Sequence, residues 1–333
     1  MSRKNETRAI LGMALWETPG VVVPGPQLCD RAGITRQAVW KTMEKLQTEG
    51  FPVEVVPRRG YRLRQDVPDV LHPLWLALAA ATLPTKAAFE VFDEVTSTQQ
   101  VARERARQGA PAPTVVLAER QSAGRGRHGR IWVSPRGCGI YMSVLLRPQL
   151  APSQASLLSL AAGLAVRRGI FRRTGMACDL KWPNDLLRGN GKVCGILTEV
   201  ASDPDHIHFA VVGMGVNVNF SEQRDPEGTF LFPPAFLQQD ASVPVHRGWL
   251  VVAILEELMP LVAALECGGA EALVAAYAAN CTTLGRFVRM LTDQGSTEGT
   301  AKTLSPEGAL VVETSEGLRT FTSADVLHAS RSS

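Results

Sequence analysis

The sequence has little that would suit an oxidising compartment or a bilayer. Its six cysteines (Cys29, Cys138, Cys178, Cys194, Cys267, Cys281) are scattered, and no two stand as Cys-x-x-Cys. This spacing argues against a zinc site or a disulfide framework and fits a reducing cytosol, so a cytoplasmic location is expected. The opening residues, Met1-Ser2-Arg3-Lys4-Asn5-Glu6, lack the apolar core of a signal peptide. The longest apolar stretches, residues 74–83 and 249–265, are too short or carry Glu256 and Glu257. A membrane span needs about twenty apolar residues, so no membrane partner is expected. Internal repeats are absent from the second half. Excess charge of one sign is also lacking overall, with 35 basic against 32 acidic residues. It is present locally, because residues 1–64 hold 11 Lys/Arg and 6 Asp/Glu. A basic head on a near-neutral body predicts a nucleic-acid contact confined to the N-terminus.

A chain of 333 residues exceeds a usual single core, so two or three domains are expected. Residues 7–15 read as a first helix. Pro26 to Ala32 reads as a second, closed by Gly33, and Thr35 caps a third that runs to about Gly50. In the third, Val39, Met43 and Leu46 fall at i, i+4 and i+7, which predicts one buried face. Residues 53–56 and 61–63 alternate as strands around Pro57-Arg58-Arg59-Gly60. Two helices joined at a glycine, followed by a hairpin tipped with arginines, predict a winged helix-turn-helix. Thr35, Arg36, Gln37 and Lys41 would reach base edges or phosphates of operator DNA, and Arg58 and Arg59 would sit near the phosphate backbone. Winged helices also dock proteins, which is the competing use.

The densest chemistry lies in Gly124-Arg125-Gly126-Arg127-His128-Gly129-Arg130. Glycines let a ligand approach the backbone, and arginines supply permanent planar donors for carboxylate and phosphate. The run predicts a loop that closes over an anionic ligand and orders on binding. Further on, Lys181-Trp182-Pro183-Asn184-Asp185-Leu186 reads as a charged turn. Gly191-Lys192-Val193-Cys194-Gly195 then opens a strand that runs to Val200, and a second strand at 206–212 continues through Gly213-Met214-Gly215-Val216-Asn217.

Taken in order, ERQSAGRGRHGRIW, LKWPNDL, GKVCGILTE and VVGMGVNVN resemble the catalytic domain of biotin protein ligases over residues 91–219. The head resembles the N-terminal domain of the bifunctional members that repress biotin synthesis genes. The resemblance implies ATP-dependent ligation of biotin to a lysine of a biotin carboxyl carrier protein through biotinyl-5′-AMP, with Mg²⁺. It also implies repression at operator DNA by a ligand-promoted homodimer. A ligase whose head does not bind DNA, or a lipoate-type ligase, are the alternatives.

The resemblance further implies residue roles. Ser97, Thr98, Gln99, Gln121, Gly124, Arg125, Gly126, Arg127, Lys192 and Gly195 would border biotin. Arg127, Arg130, Trp132, Asn184, Asp185, Lys192 and Asn217 would border ATP. Lys192, Arg125, Arg127 and Asp185 would carry the chemistry, and Asp185 would meet Mg²⁺ through the phosphates. Gly195 would let the backbone approach the ring system. His128, where the family often has arginine, receives no role. Capping alone would explain Ser97-Thr98 at the head of a helix running to Arg107.

Residues 221–244 are expected as a mobile loop on the nucleotide side. Amphipathic helices follow at 247–265 and 270–280, then short strands at 286–291, 297–304, 310–314 and 319–322. The expected fold is α+β and multidomain. It comprises a winged helix-turn-helix (1–65), a linker with a short helix (66–86), an α+β ligase-type catalytic domain (87–281) and an SH3-like β-barrel (282–330).

Overall fold

The computed structural model describes residues 3–64, 69, 71–81, 83, 86–221, 232–241, 244–292 and 295–328. The chain divides into two compact units, one of Met1–Thr82 with His246–Val252, the other of Leu83–Val245 with Ala253–Ser333.

In the first unit, helices α1 (Arg3–Trp16), α2 (Gly25–Ala32) and α3 (Arg36–Thr48) precede a hairpin of β1 (Val53–Val56) and β2 (Gly60–Leu63). Gly33 ends α2 at φ 63°, a left-handed conformation that glycine adopts without a Cβ penalty. Thr35 Oγ1 accepts from the Ala38 amide at 3.3 Å and starts α3. Val39, Met43 and Leu46 are buried, as their spacing predicts. Residues 66–86, expected as a linker with a short helix, contain α4 (Pro73–Ala79). Its Trp75 and Leu76 are buried, so this segment adds to the unit's core. Trp75 packs edge-on against Trp16 and Trp249, and Arg247 donates to both the carboxylate and the backbone carbonyl of Asp69.

The second unit is built on a seven-stranded sheet. Its strands are β3 (Ala88–Val95), β4 (Thr114–Gln121), β5 (Gly139–Leu146), β6 (Asp179–Lys181), β7 (Asp185–Arg188), β8 (Gly191–Ser202) and β9 (Ile207–Asn217). Their spatial order is β3-β4-β5-β9-β8-β7-β6, antiparallel except for the β3–β4 pair. Helix α5 (Thr98–Arg107) buries Ala102 and Ala106 against Val116, Leu145 and Val211. Helix α6 (Ala155–Thr174) meets the opposite face. Its Ser159 donates to Thr198, the cross-strand partner of Val212, and neighbours on a strand point to opposite faces.

A short helix α7 (Leu237–Asp240) precedes α8 (Arg247–Glu266) and α9 (Ala270–Ala278). The expectation that α8 is amphipathic fails. Leu250 to Leu255 are buried without a break, so α8 is a core helix, although its length and composition alone would let it cross a membrane. A five-stranded antiparallel sheet closes the chain, formed by β10 (Phe287–Thr292), β11 (Gly295–Leu304), β12 (Leu310–Thr314), β13 (Gly317–Phe321) and β14 (Asp325–His328). Its order is β13-β12-β11-β10-β14. Trp182 Nε1 ties it to the larger sheet by donating to the Gly308 carbonyl at 2.9 Å.

Candidate functional site

A cavity lies on the α5 face of the larger sheet, and the strand register organises its floor. Lys181 pairs with Asp185, Asp185 with Gly195, Gly195 with Gly215, and Gly215 with Tyr141. Residues opposite one another across strands share a face, so these five form one row. Leu197, Gly213 and Ser143 form a parallel row two residues further along β8 and β9.

The end beneath α5 is polar. The Thr98 amide donates to Gln121 Oε1 at 2.8 Å, and Thr98 Oγ1 lies 2.9 Å from Ser143 Oγ. Ser143 donates to Gln99 Oε1 at 3.1 Å, while Gln99 Nε2 donates to the Val211 carbonyl at 3.0 Å. Gln99 is thereby tied into the sheet. Ser97 occupies the N-cap of α5, yet its hydroxyl makes no capping bond. It is buried on the cavity wall with no hydrogen-bond partner among the described residues. Capping therefore does not explain Ser97, whose buried hydroxyl borders the cavity.

The arginine-glycine loop is folded by its own backbone bonds. Gly126 N donates to the Arg130 carbonyl at 2.8 Å, and Trp132 N donates to the Gly124 carbonyl at 2.9 Å. Gly124 is buried, and a Cβ there would press on Ser134 and Gln121, so its role is to let the loop pack rather than to line the cavity. Arg127 donates to Asn184 Oδ1 at 3.1 Å, to the Ala324 carbonyl at 3.3 Å and to Ser323 Oγ at 2.6 Å. Burial pushes the Arg127 pKa down, against the pull of Asp325 and Asp185. Arg130, expected to meet the triphosphate, instead grips Asp325 with both terminal nitrogens. Burial would raise the Asp325 carboxyl, but the Arg130 hydrogen bond and the charges of Arg130 and Arg127 hold it below the ordinary range. The exposed Arg125 guanidinium has no such partner among the described residues and borders the cavity. His128 sits at φ 53° beside Arg127 and faces solvent.

The other end is charged. Lys192 Nζ lies 2.7 Å from Asp185 Oδ1 and 5.4 Å from the Trp132 ring centroid. The Lys192 backbone is held on three sides: its amide donates to Pro233, while Ala235 N and Asn217 Nδ2 donate to its carbonyl. Asn217, expected to bond the nucleotide, thus uses its amide nitrogen to fix the lysine. Asn184 Nδ2 donates to the Ile196 carbonyl at 2.7 Å. Trp132 lies across Gly195 and Gly215, where a Cβ at either position would strike its ring. These glycines border the cavity and make room for the Trp132 ring. Of the loop expected at 221–244, residues 222–231 and 242–243 lie outside the described residues. Phe232 and Pro234 border the cavity.

The sequence reading missed Ser143, Lys181 and Asp325. Ser143 carried a signal as the one aliphatic hydroxyl in the run Gly139–Leu146, every residue of which is buried. Lys181 reads from the sequence as part of a charged turn, but it is 3 % exposed and borders the cavity. Burial pushes its pKa down, partly opposed by Asp185. In the first unit, Thr35, Arg36, Gln37, Lys41, Arg58 and Arg59 are all exposed.

Residues 91–217 match the biotin/lipoate A/B protein ligase family, residues 283–328 the biotin protein ligase C-terminal domain, and residues 7–62 a helix-turn-helix (HTH) domain. The chain is 34% identical over 304 residues to the bifunctional ligase/repressor BirA of Bacillus subtilis, covering 91% of this chain and 93% of the relative. It is 36% identical over 231 residues to a biotin–[acetyl-CoA-carboxylase] ligase of Mycobacterium tuberculosis, covering 67% and 82%. Biotin protein ligase from Aquifex aeolicus, solved with biotin and ATP, superposes with a TM-score of 0.62 at 26% identity, covering 72% of this chain and 99% of that one. With its ligase-type sheet, its C-terminal sheet and its helix-turn-helix head, the chain belongs to the biotin protein ligase family.

Proposed function

We propose that this protein joins biotin to a lysine of a biotin carboxyl carrier protein through biotinyl-5′-AMP, and that its head represses biotin genes at operator DNA. One observation carries the enzymatic reading. The hydroxyl and amide groups of Ser97, Thr98 and Gln121 share a single cavity with Arg125, Lys192 and Asp185. A neutral polar ring system fits the first group, and two anions that must approach one another fit the second.

In the first step a biotin carboxylate oxygen attacks the α-phosphorus of ATP, and the bond to the β-phosphate breaks with pyrophosphate leaving. Lys192 and Arg125 lower the mutual repulsion of carboxylate and phosphate, and preorganised charge of this kind is the largest catalytic resource of a water-poor site. Arg127 and Asn184 hold the loop against the sheet. Trp132 offers a face for adenine. In the second step the carrier's amine attacks the acyl carbon, and AMP leaves. No side chain has to become a covalent nucleophile. Among the described residues no group of three or more His, Cys, Asp or Glu forms a metal cage. That fits Mg²⁺ held mainly by phosphates with one or two carboxylates, here Asp185, where the ion would offset phosphate charge.

The head's exposed basic residues support operator binding, and a two-fold operator calls for a homodimer promoted by the adenylate. The scattered free thiols support a cytoplasmic setting. The test is mass spectrometry of a carrier domain incubated with protein, ATP and equal biotin and lipoate. A biotin-sized mass increase on one lysine is expected. A lipoyl adduct in its place favours the lipoate-type reading, and no adduct at all removes the ligase reading.

A further inference from the structure

His128 is the one residue of the arginine-glycine loop that holds a neutral ring against a guanidinium. The two terminal nitrogens of Arg127 carry four N–H groups, and four acceptors surround them. These are Asn184 Oδ1, the Ala324 carbonyl, Ser323 Oγ and His128 Nε2, the last at 3.3 Å. A guanidinium has donors only, so Nε2 must accept and the ring proton must sit on Nδ1. The chain turns through the left-handed region at His128 and Gly129, φ 53° and 72°, where the ring lies beside the preceding side chain.

Three of the four acceptors, an amide oxygen, a carbonyl and a hydroxyl, keep their charge at any ordinary pH. The fourth does not have to. An imidazole ordinarily gains a proton near pH 6.5, and an imidazolium has no acceptor left. Protonation would remove the bond and set a second cation beside Arg127, with Arg130 close by. The ring is exposed, so water can deliver the proton. From the C-terminal sheet Asp325 faces this cluster and would attract a protonated His128. Its carboxylate is already gripped by both terminal nitrogens of Arg130, so it does not restore the lost bond. From the larger sheet Asp185 and Lys181 face Arg127. Arg125, Gly126, Arg127 and Arg130 all border the cavity, so the loop is one of its walls.

We propose that His128 is a positioning residue for this wall: its neutral ring helps to latch Arg127, and its protonation loosens the loop and shortens the stay of biotinyl-5′-AMP in the cavity. The inference rests on the ligase reading. An arginine, common at this place in the family, offers no acceptor, so the device belongs to the histidine of this chain.

The test is the dissociation rate of labelled biotinyl-5′-AMP from the full-length protein, chased with unlabelled adenylate between about pH 8 and pH 5.5, the range over which an imidazole changes charge. The wild-type rate is expected to rise on the order of fivefold as the pH falls, the size of one partly exposed hydrogen bond. His128→Gln keeps a neutral acceptor at the reach of Nε2 and should stay slow at both ends. His128→Arg, a permanent cation with no acceptor, should be fast at both ends. Neither replacement is β-branched, so both make a similar demand on the left-handed backbone, and a merely structural role would move both alike without touching the pH profile. A flat wild-type profile, a His128→Gln protein that keeps the wild-type rise, or a His128→Arg protein as slow as wild type at the alkaline end overturns the proposal. Wild-type protein that binds no adenylate at any pH instead overturns the ligase reading beneath it.

Discussion

The Lys192 ammonium lies 2.7 Å from the Asp185 carboxylate, across the turn that joins β7 to β8. The pair does two things at once. In the proposed reaction, Asp185 would keep a cation at the reaction centre while no ligand competes for it, and would fix that cation where phosphate is to come. The two side chains are therefore expected to act as a unit. Lys192→Gln should lower adenylate formation by on the order of 100-fold or more, and Asp185→Asn by roughly tenfold. The double variant should be far less damaged than the product of the two. Pyrophosphate release in single turnover measures all three. A Lys192→Gln protein that keeps half the wild-type rate would contradict the role given to this lysine.

How much of this could be read from the chain depended on how local the cause was. The head was legible because its signals lie a few residues apart: Thr35 caps, Gly33 turns, and Val39, Met43 and Leu46 recur on one face. The place of Lys192 at the cavity was legible because a lysine at a glycine-led strand entry stands out within a short run. The partner of Arg130 was not, since Asp325 is 195 residues away in sequence and meets it only through the docking of the C-terminal sheet. The packing partner of Gly195 and Gly215 was hidden for a related reason. Their missing side chains accommodate Trp132, which arrives from another segment. Helix α8 misled through its two glutamates, which find Arg168 and Arg172 on α6 instead of defining a solvent face.

His72 gives the first unit a pH-dependent stability. Burial pushes its imidazole down to about 4, against the pull of Glu49, whose carboxylate lies 3.6 Å from Nε2. Its Nδ1 accepts from the Trp75 amide at 3.4 Å and caps α4, a role that suits the neutral ring. In the unfolded chain the imidazole takes its proton near the ordinary value of 6.5, so acid favours the unfolded state first. The stabilisation is present in full above about pH 6.5 and is lost progressively down to about 4, amounting to a few kcal/mol. His72→Asn keeps a capping acceptor and removes the titration. Urea unfolding at several pH values should give a shallower decline for this variant between pH 6.5 and 4. Parallel declines would show that His72 does not carry the effect.

The wing offers a contrast among three arginines close in sequence. Arg58 and Arg59 at its tip are exposed, with no ion pair among the described residues, whereas Arg62 on β2 is already paired with Glu54 at 2.9 Å. A free guanidinium that neutralises a phosphate releases a counter-ion, and each such contact contributes about 0.9 to the slope of log affinity against log salt. Arg58→Ala and Arg59→Ala should each flatten that slope by close to one and weaken operator and non-operator DNA alike. Arg62→Ala should change it less, because its charge is already partly met. Carrier biotinylation should be unaffected by all three, since the cavity is built entirely from residues of the second unit. Fluorescence anisotropy across a salt series measures the slopes. A double Arg58→Ala, Arg59→Ala protein with the wild-type slope would show that the wing does not touch the backbone, and would favour protein docking as the use of this head.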